Sequence, residues 1–168
     1  MKNLRRGVLL CLLLVATAGC DQVTKRYALT ELAGAPDQSF LGDTLRLQYH
    51  ENPGAFLSFG ANWNPKTRIV VFQVANSLFL LAIAIVALRS HWSRQGALGL
   101  GLILGGGVSN LIDRVALGTV VDFLNVGIGP LRTGIFNMAD VAVMAGVACL
   151  LWDGFRNSYT PSVSSRRS

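Results

Sequence analysis

The chain has 168 residues, enough for one domain, and 51% of them are hydrophobic while only 14% are charged, a balance that excludes an ordinary water-soluble or disordered protein and points to a membrane. The formal net charge is +6, but the basic residues are dispersed rather than gathered on a stripe, so nucleic-acid binding does not follow. Cys11, Cys20 and Cys149 sit in apolar runs without paired spacing, and His50 and His91 stand far apart, so neither a disulfide nor a metal site is expected.

Residues 7–20 are uncharged, follow Lys2, Arg5 and Arg6, and end in Thr17-Ala18-Gly19-Cys20, which resembles the cleavage box of a bacterial lipoprotein signal. So short an apolar run fits a signal core better than a span of about 20 residues. Thr17 stands where a leucine-type residue is usual, however, and a lipoprotein should be soluble beyond its anchor, which this chain is not. The expectation is a retained helix over 7–27, which places Asp21 and Lys25 four apart on one face.

Residues 28–66 form the largest polar segment, with Pro36, Pro53 and Pro65 and the alternation Thr44-Leu45-Arg46-Leu47-Gln48-Tyr49. They read as a small extra-membrane sheet, too short for a core of its own, that must lie on the membrane face or the helices. Within it Asn52-Pro53-Gly54-Ala55-Phe56 reads as a turn that also delivers Asn52 to a site. Residues 69–88 are uncharged and long enough to cross about 30 Å of hydrocarbon. Gln73, Asn76 and Ser77 are spaced to share one face of that helix, turned toward its neighbours. After a short basic turn at 89–94, a third span over 95–114 carries Gly99, Gly101, Gly105 and Gly106, a small-residue pattern that lets other backbones approach. A fourth span over 135–155 is interrupted only by Asp140, and 156–168 should be a disordered tail. The fold class is thus an α-helical integral membrane protein, with four transmembrane helices and a small extra-membrane β-sheet.

Four spans put both termini on one side together with the 89–94 turn. With every charged residue assigned to the nearer side, that side holds eight basic residues and one acidic residue, whereas the other holds seven and eight. By the positive-inside rule both termini are cytoplasmic, and Asp21, Asn52, Asp113, Asp122 and Asp140 collect on the outer side. An ionisable residue held at a membrane boundary is by default functional. On the third helix Asn110, Asp113 and Arg114 are related by three and four and share a face, so Asp113 can pair with Arg114 or with a group on the next helix, which reads mostly as structure. Asn137 and Asp140 share a face of the fourth helix, with Ala139 keeping the neighbouring position small. Asp122 lies in an extended segment, Thr119-Val120-Val121-Asp122-Phe123-Leu124. Asp122 and Asp140 lack a local cation, and their apolar neighbours disfavour a charge. As a pair they would share one proton, the ionised member taking a proton from water and the other donating to a carbonyl.

Five stretches, Asp21-Gln22-Val23-Thr24-Lys25, Asn52 to Phe56, Gly105 to Arg114, Val121-Asp122-Phe123 and Phe136-Asn137-Met138-Ala139-Asp140, resemble in order and spacing the motifs of bacterial lipoprotein signal peptidases, the signal peptidase II family. The resemblance covers residues 1 to about 155. It implies a four-helix aspartic endopeptidase of the bacterial inner membrane with a periplasmic sheet, acting as a monomer without cofactor or metal. Its substrate is expected to be a prolipoprotein carrying diacylglycerol, cut on the amino side of the lipidated cysteine at the lipid boundary. By position Asp122 and Asp140 match the catalytic pair, and Asp21, Lys25, Asn52, Gly54, Gly106, Asn110, Asp113, Arg114, Asn137 and Ala139 the supporting residues. Ser109 departs from the pattern, which more often has glycine, and is expected to affect only fine packing. Two rival readings are a proton-coupled transporter, whose acids would lie nearer mid-membrane, and a Ser-Lys peptidase, for which neither Lys25 nor Lys66 has a suitably spaced serine.

Overall fold

A computed structural model describes residues 2–54, 59–90 and 92–158. Ala55, Phe56, His91 and the expected tail from 159 onward lie outside them.

Helix α1 (Lys2–Tyr27) runs on into a π-helical turn at Ala28–Leu32. Strands β1 (Gln38–Phe40) and β2 (Leu45–Asn52) follow. The second span has three parts: α2 (Pro65–Arg68), π-helical Ile69–Ala75 and α3 (Asn76–Arg89). Next come α4 (Arg94–Leu117), β3 (Val120–Ile128), β4 (Leu131–Arg132) and α5 (Met138–Ser158). The ends follow local chemistry. Asn64 caps α2 by accepting the Thr67 N–H at 3.0 Å, with Pro65 fitting the first helical position. Ser93 caps α4 through Gly96 N–H, and Gly118 ends it at φ 78°, a left-handed conformation that glycine adopts without steric cost.

Four helical stretches, Gly7–Leu32, Pro65–Arg89, Arg94–Leu117 and Met138–Arg156, are long and apolar enough to cross a membrane. They are not equivalent. In α4 44% of the apolar window is buried, against 6 to 17% in the other three, so α4 is the centre and the others present apolar side chains outward to lipid. Close approach around α4 needs its glycines. A Cβ on Gly105 would lie 2.6 Å from Thr17 of α1, and one on Gly106 would lie 2.5 Å from the Ala139 carbonyl of α5. These two contacts bring α1 and α5 onto the end of α4 that carries its polar residues.

The sheet is antiparallel in the order β1-β2-β3-β4. It differs from the expected sheet over 28–66 alone, because β3 and β4 come from the segment between α4 and α5. A register shift between Leu47 and His50 resumes the pairing with His50 opposite Asp122 and Asn52 opposite Val120. A single sheet layer must bury its apolar face on another element, and Val121 and Phe123 pack on Ala28 and Leu32 at the end of the first span. That shared core fixes β3, and with it Asp122, to the membrane bundle.

Two further expectations change. The second span starts at Pro65 and its π winding breaks the 3.6-residue period, so Gln73 reaches the Arg114 carbonyl at 2.8 Å while Ser77 is exposed and bonds the carbonyl of Gln73 on its own helix. The fourth helix starts at Met138 and continues to Ser158, past the expected tail boundary.

Candidate active site

The polar residues form two layers joined at Asn110. In the first, the Lys25 ammonium lies 2.8 Å from Asp21 Oδ2 and 2.9 Å from Asp113 Oδ2, and donates to Asn110 Oδ1 at 2.7 Å. All three donors of the ammonium are used. Both carboxylates have further partners: Asp21 accepts from Ser109 Oγ at 2.7 Å and from Ala139 N–H at 2.7 Å, and Asp113 accepts from Gln22 Nε2 at 2.7 Å and from Val121 N–H at 3.2 Å. The cluster therefore ties α1 to α4, to β3 and to the start of α5. Buried ions are tolerated only with partners of this completeness.

The second layer follows from the first through the orientation of amides. Because Lys25 can only donate, Asn110 must turn Oδ1 toward it, which leaves Nδ2 to donate to Asp140 Oδ1 at 3.0 Å. At the start of α5, Asn137 Oδ1 accepts the Asp140 N–H at 3.0 Å and Asp140 Oδ2 accepts the Asn137 N–H at 3.2 Å. This is a reciprocal capping box, and it fixes the Asn137 amide in turn. Its Nδ2 donates to Asp122 Oδ1 at 2.7 Å and to Asn110 Oδ1 at 3.1 Å. From β2, Asn52 donates to Asp122 Oδ2 at 2.9 Å, while its Oδ1 accepts the Gly54 N–H at 2.9 Å.

Asn137 thus joins the two carboxylates, its side chain donating to Asp122 and its backbone to Asp140. Neither carboxylate is in an ion pair among the described residues. Burial, opposed by the amide of Asn52 and reinforced by the charge of Asp140, pushes the Asp122 carboxyl up to about 6. Asp122 is almost fully enclosed, whereas Asp140 is half-buried and lines an open cleft of about 410 Å³ with Asn76, Phe79, Asn110 and Arg114. The arrangement leaves Asp140 open to water from the cleft, with Asp122 linked to it through Asn137.

The structure brings Asp21, Lys25, Asn52, Gly54, Asn110, Asp113, Asp122, Asn137, Ala139 and Asp140 into this one network, and Gly106 supports it by seating the Ala139 backbone. Three expectations are corrected. Asp113 pairs with Lys25 of α1, neither with Arg114, since successive helical residues do not face each other, nor with a group on the next helix. Arg114 instead donates to the carbonyls of Gly54 at 2.9 Å and Asn110 at 3.3 Å, with its guanidinium 5.6 Å from the Phe72 ring centre. Ser109 is more than fine packing, because its fully buried hydroxyl donates to Asp21 and accepts from Gln22 Nε2 at 3.0 Å. Asn137 and Asp140 meet through the capping box, Asn137 lying just outside the helix, rather than by sharing a helical face. Gln22 was missed as a member of the network, although its place three residues before Lys25 on the same helix carried the signal.

Comparison with known proteins decides the family. The sequence model of the signal peptidase (SPase) II family matches residues 13–156. The chain belongs to the signal peptidase II family. It is 33% identical over 153 residues to a lipoprotein signal peptidase of Methylorubrum extorquens (strain PA1), covering 85% of this chain and 83% of that one. To the lipoprotein signal peptidase of Moorella thermoacetica (strain ATCC 39073 / JCM 9320) it is 36% identical over 148 residues, covering 86% and 89%. A solved bacterial membrane enzyme shares the fold with a TM-score of 0.80 over 95% of this chain and 94% of that chain, at 23% identity. A second reaches 0.73 at 25% identity, covering 86% and 90%. As a signal peptidase II the protein is a membrane-embedded protease, and the transporter reading finds no support.

Proposed function

We propose that Asp122 and Asp140 are the catalytic pair of an endopeptidase that removes the signal peptide from diacylglyceryl-modified prolipoproteins, cutting on the amino side of the lipidated cysteine. The observation that carries this reading is a pair of carboxylates joined by Asn137 and held only by neutral donors, one of them lining a cleft at the ends of the spans. Asp140, at the N-terminus of α5 and facing the cleft, takes a proton from the attacking water. Asp122, buried in β3, carries the shared proton and donates it to the scissile carbonyl oxygen. The water oxygen bonds to the carbonyl carbon, and collapse of that intermediate breaks the C–N bond as the amide nitrogen takes the proton held by Asp140 and one diol hydroxyl returns its proton to Asp122. Asn52 and Asn110 hold the two carboxyls in register through these steps.

A lipid-anchored substrate presents its cleavage point at the membrane boundary, where a site at the ends of helices can meet it. The charge asymmetry supports an inner-membrane protein with both termini cytoplasmic and the site on the periplasmic side. It acts as a monomer, with no cofactor or metal, and keeps its N-terminal helix because Asp21 and Lys25 belong to the network. Intact mass of membrane-purified protein tests the last statement, since loss of residues 1–19 with lipid on Cys20 would overturn it. Processing of a purified diacylglyceryl precursor tests the reaction: Asp122→Asn and Asp140→Asn should each bind the precursor and leave it uncut. Either variant cutting at the wild-type rate removes that residue from the pair.

A further inference from the structure

Arg68, from α2, and Arg114, from α4, face a common cavity of about 250 Å³ bordered by Pro53, Phe72, Gln73 and Val115. It adjoins the cleft that Asp140 lines, the two sharing Phe72 and Arg114 as a wall. The Nε of each arginine is buried without a hydrogen-bond partner. Neither guanidinium is in an ion pair among the described residues, and the two bonds Arg114 makes go to backbone carbonyls, which leave its charge in place. No lining residue is acidic, and residues 55–58 contain no acid either.

Depth narrows what could supply the missing anion. Arg68 ends α2 at the start of the span Pro65–Arg89, and Arg114 lies in the last turn of α4, which ends at Leu117. At 1.5 Å per residue both lie about 5 Å inside the ends of their helices, near the level of lipid headgroups. Trp63, stacked on Phe72 with ring centres 5.7 Å apart, is an aromatic residue of the kind that marks the same level. Two half-buried guanidinium groups without an acidic partner favour a counter-charge, and their planar forks match phosphate oxygens.

We propose that this cavity binds the phosphate of a phospholipid from the adjoining leaflet, with the guanidinium groups of Arg68 and Arg114 that line it as donors. Because Arg114 also lines the cleft, the bound lipid steadies one wall of the candidate active site.

The test is lipid binding, read independently of proteolysis, on delipidated full-length protein in detergent by native mass spectrometry. The probes are phosphatidylglycerol, phosphate-free diacylglycerol and inorganic phosphate. Wild-type protein should retain one phosphatidylglycerol that diacylglycerol does not displace. Arg68→Gln should weaken that binding about tenfold or more, in keeping with loss of a charge-assisted bond, and Arg68→Lys should fall between the two. Displacement by millimolar inorganic phosphate supports the phosphate site while assigning it to a free anion as well. Equal retention by wild type and a folded Arg68→Gln, or equal competition by diacylglycerol, overturns the proposal. Should Arg68→Gln not fold, wild-type and Arg68→Lys affinities decide it in the same way.

Discussion

Two pairs of aspartates lie on either side of the Asn110 side chain, and they differ in what neutralises them. Asp21 and Asp113 share the Lys25 ammonium and four further donors, whereas Asp122 and Asp140 are held by asparagine amides and backbone N–H groups alone. An ion-paired carboxylate gives up a large interaction when it takes a proton. A carboxylate held by neutral dipoles changes protonation at smaller cost, which suits proton transfer. The same residue type is therefore scaffold in one layer and a candidate for chemistry in the other, and Asn110 couples them because its amide faces Asp140 only while Lys25 holds its oxygen.

The sharpest way to break this comparison is to remove one carboxylate from each layer. Asp122→Asn and Asp140→Asn should lower cleavage by about 10² to 10⁴, with the double variant scarcely worse than either single one because the pair acts as a unit. Each new amide group faces an existing donor, so a modest loss of stability accompanies the change. Asp113→Asn, by contrast, should lower the melting temperature in detergent more than it lowers the cleavage rate of the remaining folded protein. A well-folded Asp113→Asn with cleavage abolished would move Asp113 into the chemistry.

Lys25→Met tests the scaffold layer directly. It leaves two buried carboxylates without their cation, a change expected to cost roughly 3 to 5 kcal/mol, read from denaturant or thermal unfolding. Any folded fraction should also lose activity, because Asn110 is freed to turn its oxygen toward Asp140.

The second layer has its own signature in pH. Since burial raises the Asp122 carboxyl from 3.8 to about 6, the folded protein holds that proton more tightly than the unfolded chain does. The associated stability is complete below pH 3.8 and is lost as pH rises through about 6. Wild-type protein should therefore lose up to roughly 3 kcal/mol relative to Asp122→Asn between pH 4 and 7, checked by melting both proteins across that range. In the same window kcat/KM should fall as the proton leaves Asp122 in the free enzyme.

Ser109→Ala is the mildest probe. It removes one donor from Asp21, which retains Lys25 and Ala139, so about 1 to 2 kcal/mol of stability should go. Activity of the folded protein should be nearly unchanged. A large loss of cleavage would show that position 109 reaches the second layer through Gln22 and Asp113.

The sequence by itself determined the elements that depend on short-range pattern. Hydrophobic run lengths marked four spans, the glycines of α4 marked close helix contacts, and the i, i+4 spacing of Asp21 and Lys25 marked a pair that the structure contains. The five motifs also carried the family. What only the tertiary structure decided is partnership across elements. Arg114 follows Asp113 in sequence, yet the helix turns them to different neighbours about 100° apart, and Lys25, nearly ninety positions away, becomes the partner of Asp113. The sheet closed around a strand from beyond α4 because its apolar face needed Ala28 and Leu32 to pack on. Amide orientation at Asn110 and Asn137 depends on which donor reaches each oxygen, and that is set by three-dimensional packing; it is this orientation that divides four aspartates into an ion-paired layer and an uncompensated one.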